Sequence, residues 1–401
     1  MKSSFHILNI LFLVAFFCLF GGGRYSLMGY IFISVYFFLC IITFPKEVAH
    51  SFFSKEALPL YIFILYLFIT GNFHVIYPTS MLITIVPLLI LKFQVAVIQK
   101  RSSFRKCQCL YIGGVFLIIL YFIAQYIIFV SDNTMAARYL VSSAKDDNVI
   151  IGNGYGMPYG LCMLIPFLIC VCKEKKTTGL QLLFTLIFVT VSIFLIVRAS
   201  FTTAILLLTL GIVLVFISKW KLENRIVAIF VLFILAVPLF EYIPTIVSII
   251  NPDATILNDR FNEVRAIMQN SSAATEGDFG GRLDLTVRSI HTFTQNIIFG
   301  VGPDVGYNYY ALWNAGVGSH CEWIDVFARY GLFASFFIWY LVKNRSTLAP
   351  VYVGTMTLFV ILGFLNPVIN TQIFLITFYV VPMSGFLLNK PENANKLLSS
   401  S

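Results

Sequence analysis

"GLQLLFTLIFVTVSIFLIVRASFTTAILLLTLGIVLVFI" occupies residues 179–217 and carries a single charged side chain, Arg198. An α-helix rises about 1.5 Å per residue, so roughly 20 apolar residues cross the hydrocarbon core of a bilayer. The stretch is long enough for two crossings, 179–197 and 199–217, with Arg198 at the junction. It reads as a pair of membrane spans.

The same pattern recurs in both directions along the 401 residues. Ten further runs qualify: 5–20, 25–44, 57–71, 74–91, 110–130, 158–172, 226–250, 320–342, 348–365 and 369–388. The composition agrees. The chain is 59% hydrophobic and 11% charged, against roughly 25% charged in soluble domains. Its mean hydropathy is +0.89. The 41 Phe and 20 Tyr suit lipid-facing and interfacial positions. The expected fold is all-α: a polytopic integral membrane protein of about twelve helices, one membrane domain over 1–401, with no internal repeat. Lys2 and the apolar run to Phe20 lack a signal-peptidase-like site and read as an uncleaved first helix.

Charge then orients the spans. Lys46, Lys55, Lys92, Lys100, Arg101, Arg105, Lys106, Lys173, Lys175, Lys176, Lys219, Lys221, Arg225, Lys343, Arg345, Lys390 and Lys396 all fall on one side if twelve spans alternate. By the positive-inside rule that side is cytoplasmic, with both termini there. The net charge of +9 is thus a topology signal and gives no reason to invoke nucleic acid. The opposite side holds a short loop, 131–157, and a long one, 251–319. Its basic residues are Arg24, Arg138, Arg198, Arg260, Arg265, Arg282 and Arg288, with Lys145 the sole lysine. A guanidinium is a planar fork that matches phosphate and carboxylate, which an ammonium is not. Within the long loop, "LNDRFNEVRAIMQ" (257–269) and "GGRLDLTVRSIHTFTQN" (280–296) have amphipathic helical spacing, the second with Leu283, Val287 and Ile290 on one stripe. Such a loop is expected to lie down on the membrane face.

Few residues here can do chemistry. The eight cysteines form no disulfide framework, and the C-x-C pairs lack further ligands for zinc. P-loop, Rossmann and G-x-S-x-G patterns are absent, so neither metal nor cofactor is expected. What remains is Arg, His and carboxylate. His320, at the mouth of the span 320–342, reads either as an interfacial anchor or as a general base, and on a helix it would share a face with Ala328 and Gly331. Glu322, Asp325 and Arg329 follow in the same span, and charges at that depth should face the bundle interior. An Asp325–Arg329 pair at i, i+4 would fix packing, and Glu322, nearest the surface, is the candidate for catalysis. Arg198 reads as a snorkelling side chain or as a lipid-phosphate ligand. Arg282 follows "FGG" near a helix start, where free N–H groups also favour an anion. Arg288 and Arg138 are further outer arginines.

These residues together resemble the bacterial O-antigen polymerase and O-antigen ligase superfamily. The likeness rests on about twelve spans with a long outer loop before a late helix, "VRASFTT" (197–203), "GGRLDLTVRSI…NIIFGVGPDVG" (280–306), and His320 followed by Gly331 in "SHCEWIDVFARYGLFA" (319–334). The pattern departs at Cys321, where an amide is common, and at Ala334, where a Gly is expected. The resemblance implies metal-independent, inverting glycosyl transfer at the periplasmic face of the bacterial inner membrane. Donor and acceptor would be undecaprenyl-diphosphate-linked oligosaccharides. Arg198 and Arg282, with Arg288 and Arg138 as further candidates, would hold the diphosphate, and His320 would take the acceptor proton. A chain-length regulator is an expected partner. A ligase acting on lipid A core shares this chemistry. A twelve-span transporter is the reading from another class, and the unlike halves of the chain count against it.

Overall fold

Backbone N–H and C=O groups in hydrocarbon have no water to bond, so a chain this apolar must satisfy them within helices. The computed structural model describes residues 2–22, 25–70, 76–100, 103–132, 154–173, 178–199, 201–217, 278–302, 317–318, 320–343 and 350–388, and among these every regular element is helical. The helices are α1 (Lys2–Gly21), α2 (Ser26–Thr43), α3 (Pro45–Phe52), α4 (Leu58–Ile69), α5 (Ile76–Lys100), α6 (Ser103–Asp132), α7 (Gly156–Lys173), α8 (Gly179–Ala199), α9 (Thr202–Ile217), α10 (Asp278–Gln295), α11 (Glu322–Tyr330), α12 (Ala334–Lys343), α13 (Pro350–Leu365), α14 (Thr371–Leu375) and α15 (Val381–Leu388). A π-helical turn, Ile376–Val380, joins the last two.

The protein is an all-helical, multi-pass membrane protein. Among the described residues six helices are long and apolar enough to cross a membrane, or seven if the bent pair α2–α3 is one span. Eleven of the twelve expected spans coincide with described helices, several of them shorter than a full crossing. The run 226–250, the loop 131–157 for the most part, and the first loop helix, 257–269, lie outside the described residues.

Sequence explains the main breaks. Pro45 has no N–H to donate to a carbonyl one turn back, so α2 stops and the chain turns through 115° into α3. The short α3 is amphipathic and is tied to the end of α5 by Glu47–Lys100 at 3.3 Å. The central helix is α7, almost wholly buried, whereas α8 leaves Leu180, Leu183, Leu186 and Ile187 exposed, as a lipid-facing helix should.

Between α1, α2, α5, α6 and the π turn lies a buried polar knot. The Gln94 amide donates to Asn9 Oδ1 (3.4 Å) and to the Tyr36 hydroxyl (3.1 Å). Its own Oε1 accepts from Gln108 Nε2 (2.9 Å) and from the Tyr379 hydroxyl (2.7 Å). All five residues are at most 1% exposed. Four helices and the π turn are thereby joined through one amide. Truncation in Gln94→Ala orphans several buried groups at once, and an unmade bond in such a place costs about 1–3 kcal/mol. The purified variant should melt several degrees below wild type in a thermal-unfolding assay in detergent, whereas the conservative Gln94→Glu at acid pH, with its carboxyl protonated, should recover part of the loss.

Candidate functional site

The sequence around His320 is positioned by α10 and α11. Helix α11 begins at Glu322, with Cys321 extended at its N-cap. Asp325 reaches back one turn: its Oδ2 accepts from the Cys321 N–H (3.1 Å), while its own N–H donates to the Cys321 carbonyl (2.8 Å). Asp325 Oδ1 accepts from Ser289 Oγ of α10 (2.6 Å), and the same Oγ accepts from the Gly318 N–H (2.8 Å). The backbone on both sides of His320 is therefore pinned, and the half-buried imidazole is held between the two anchors. His320 stands outside the helix, two residues before its first residue. The expected shared face with Ala328 and Gly331 is not formed, because helical geometry starts only at Glu322.

Helix α10 runs beside α11 in the same direction. Ser289 is level with Asp325, Phe293 packs on Phe327 (ring centroids 5.6 Å apart), and the chain after α10 docks on residues 328–332. There the N–H groups of Val301 and Gly302 donate to the carbonyls of Ala328 (3.1 Å) and Arg329 (2.9 Å), and the Leu332 N–H donates to Ile297 O (2.8 Å). Gly331 lies nine residues beyond Glu322, so the turn 297–302 sits about 13 Å along the helix from its start. The buried face of α10 is Ser289 and Thr292, which reach α11 and its surroundings, and the stripe Leu283, Val287 and Ile290 points outward, exposed.

Two glycines permit this approach. Gly300 and Gly331 both have positive φ (+67° and +57°). A Cβ on Gly300 would lie 2.3 Å from the Arg329 carbonyl oxygen, and one on Gly331 would lie 2.3 Å from that of Ile298. Tyr66 of α4 closes the arrangement by donating to Phe299 O (2.6 Å).

The carboxylates take up structural positions. Glu322, expected near the surface, is 3% exposed. Its Oε2 accepts from the N–H groups of Val368 (2.9 Å) and Ile369 (3.1 Å), in the loop between α13 and α14. Both oxygens of Asp325 serve the α10 and N-cap contacts, and Arg329, also buried, adds its charge nearby. Cys321 is 2% exposed and fills space.

Of the arginines, Arg282 is half-buried one turn into α10, and its Nη1 donates to Asn366 Oδ1 (3.3 Å). It lies within electrostatic reach of Tyr159 in the first turn of α7. Tyr159 in turn hydrogen-bonds Thr203 and packs on Phe201 (6.2 Å), just beyond the α8–α9 junction that carries Arg198. The structure thus draws α7, α10, the α8–α9 junction and the α13–α14 loop to one end of the bundle, the end at which His320 sits. Arg288 is half-buried further along α10, and Arg138 lies outside the described residues. Among the described residues no three of His, Cys, Asp and Glu gather in a way that could hold a metal ion.

Three contributors escaped the sequence reading. Ser289 belongs to a polar stripe, Ser289–Thr292–Asn296, at helical spacing opposite the apolar one. Asn366 and Asn370 lie in "FLNPVINTQ" (364–372), where an Asn-Pro dipeptide marks the turn.

In this multi-pass helical protein the helix that carries Arg282 packs beside the buried acidic start of α11, with His320 just before it. Residues 183–338 match the model of a family described as O-antigen ligase, and that segment contains Arg198, Arg282, Arg288, His320 and Glu322. The match supports a place in the O-antigen ligase and polymerase superfamily, membrane glycosyltransferase-like enzymes of polysaccharide biosynthesis. No curated protein gives a significant match to the chain.

Two variants probe the frame. Glu322→Gln keeps a side-chain oxygen for the Val368 and Ile369 N–H groups and should remain folded with a melting temperature near wild type. Glu322→Ala leaves two buried donors unmet and should cost about 1–3 kcal/mol per group by the same melting assay. Gly331→Ala forces a Cβ into the Ile298 carbonyl and should fail to yield a monodisperse protein, as expected of a backbone clash at positive φ.

Proposed function

We propose that this protein is an oligosaccharide repeat-unit polymerase of the bacterial inner membrane. It joins undecaprenyl-diphosphate-linked repeat units into O-antigen or a related surface polysaccharide at the periplasmic face. An acceptor sugar hydroxyl attacks the anomeric carbon of the donor. The bond from that carbon to the diphosphate oxygen breaks, the diphosphate leaves with the electron pair, and the configuration inverts. His320 takes the hydroxyl proton. Arg282 and Arg198, with Arg288 and Arg138 as further candidates, stabilise the charge that grows on the leaving group. Glu322 serves by holding the loop that carries Asn366, a positioning role in place of the catalytic one read from its sequence position.

The observation that carries this reading is the placement of Arg282. It is held at one bundle end by a neutral amide, beside the α8–α9 junction and at the same end as His320, within a segment that matches the family. A ligase passing the same donor to lipid A core is the second reading, favoured by the family's description. A chain-length regulator would act as a partner of the polymerase only.

Glycan analysis separates the two. A strain lacking the polymerase should keep single repeat units on its lipopolysaccharide, and a strain lacking the ligase should accumulate glycan on undecaprenyl diphosphate. Complementation with His320→Ala or Arg282→Ala should lower chain extension by about 100-fold or more, the usual loss on removing a general base or an oxyanion donor, with membrane insertion unchanged. Normal polysaccharide ladders from either variant would remove that residue from the mechanism.

A further inference from the structure

The basic start of α6 carries two cysteines, Cys107 and Cys109, with no histidine near them in sequence. The fold supplies one. His6 of α1 faces the first turns of α6, and its Nδ1 lies 3.2 Å from Cys107 Sγ, with Nε2 at 3.8 Å. Cys107 and Tyr111 are four residues apart and share that face of α6. The Tyr111 hydroxyl stands 3.1 Å from the same Nδ1 and 3.4 Å from the His6 carbonyl. Donation to the carbonyl leaves the Nδ1 lone pair to the thiol. Next to His6, Phe5 stacks on Phe104 with ring centroids 4.3 Å apart, which fixes α1 against α6 at this level.

An imidazole nitrogen beside a thiol is the arrangement by which a sulfur nucleophile gives up its proton. Both groups can be reached, His6 being exposed and Cys107 only half-buried. The 30 residues of α6 exceed the roughly 20 that cross the hydrocarbon core, so its first turns stand at the membrane boundary. The surroundings are basic as well: Lys100, Arg101, Arg105 and Lys106 precede Cys107, a field that favours a thiolate and attracts anionic reagents. The pair is remote from His320. Phe20, towards the other end of α1, gives its carbonyl to Gln372 Nε2 (2.6 Å) beside the α13–α14 loop. His6 lies fourteen residues back along the same helix, about 21 Å from that contact.

We propose that Cys107, with His6 as its base, is a thiol-modification site that takes anionic low-molecular-weight disulfides. His6 Nδ1 accepts the thiol proton as the Cys107 sulfur attacks one sulfur of the disulfide. The S–S bond of the reagent breaks. Its other half leaves with the electron pair and takes the proton from the imidazolium, so it is reduced to a thiol while Cys107 is oxidised to a mixed disulfide. Cys109 does not resolve the adduct, because side chains two apart on a helix point away from each other. The adduct therefore stays until an external thiol removes it.

The reduced full-length protein in phosphatidylcholine nanodiscs is incubated with glutathione disulfide, and adducts at Cys107 and Cys109 are followed by peptide mass spectrometry. Cys109 is the more exposed of the two, so accessibility alone would make it react first. In the wild type Cys107 should instead react about tenfold faster or more. His6→Ala should slow Cys107 by about tenfold or more and leave Cys109 unchanged, with a melting curve showing that the variant is folded. Cystamine, a cationic disulfide, should modify Cys107 more slowly than glutathione disulfide at low salt, and the difference should shrink at high salt. A wild type in which Cys107 reacts no faster than Cys109 overturns the proposal without recourse to any variant. A folded His6→Ala with the wild-type rate at Cys107 overturns it too, and cystamine reacting as fast as glutathione disulfide at low salt overturns the anionic preference.

Discussion

A carboxylate buried within a membrane span must be given hydrogen-bond donors, and Asp325 obtains them from two different parts of the chain. One oxygen takes the hydroxyl of Ser289 and the other the N–H of Cys321. A charge placed this way costs several kcal/mol to desolvate, so its bonds cannot be optional. Because Ser289 also accepts from Gly318, the same small network fixes where α10 lies, where α11 starts and how the chain enters at His320. The Asp325 tie acts together with the Phe293–Phe327 ring contact, the Arg282–Asn366 hydrogen bond and the backbone contacts at the far end of α10.

The architecture was legible where it depends on length and periodicity. Runs such as 179–217 permit little besides membrane helices, and eleven of twelve expected spans fall on described helices. The bend at Pro45 was not foreseen, nor was the break at Gly331, since 320–342 was read as one continuous helix with His320, Ala328 and Gly331 on one face. The direction of α10 was not legible. Its apolar stripe at Leu283, Val287 and Ile290 invites the ordinary rule that apolar faces point inward. Here the polar face of Ser289 and Thr292 turns in to find partners, and the exposed side carries Asp284 and His291 as well as the stripe. The stripe was read correctly as a stripe; which way it faced is set by the Ser289–Asp325 hydrogen bond, between residues 36 positions apart.

The site divides along the same line. Residue types and spacing singled out Arg198, Arg282 and His320, and the structure sets Arg282 and the Arg198 junction against Tyr159 of α7 at the His320 end of the bundle. Glu322 was misplaced because position in a span was taken as exposure. A residue at a helix start is near the surface only if no loop covers it, and here the 366–370 loop folds over and takes its carboxylate. Asn366 was invisible for the opposite reason. A neutral amide beside a proline looks like a turn residue, and nothing in one sequence tells that its carbonyl meets an arginine 84 positions earlier.

The division of labour that results has a physical logic. Charges that must remain fixed, Glu322 and Asp325, are buried and spend their oxygens on backbone and hydroxyl donors. The charge proposed to meet a ligand, Arg282, is half-buried and held by a neutral group. If the pairing were reversed, with Arg282 against a carboxylate, the anion would have to displace a charged partner, and the affinity gained from the guanidinium would largely be cancelled. The neutral donors satisfy the two carboxylates without cancelling their charge, and Arg329, buried in the same helix, supplies positive charge beside Asp325.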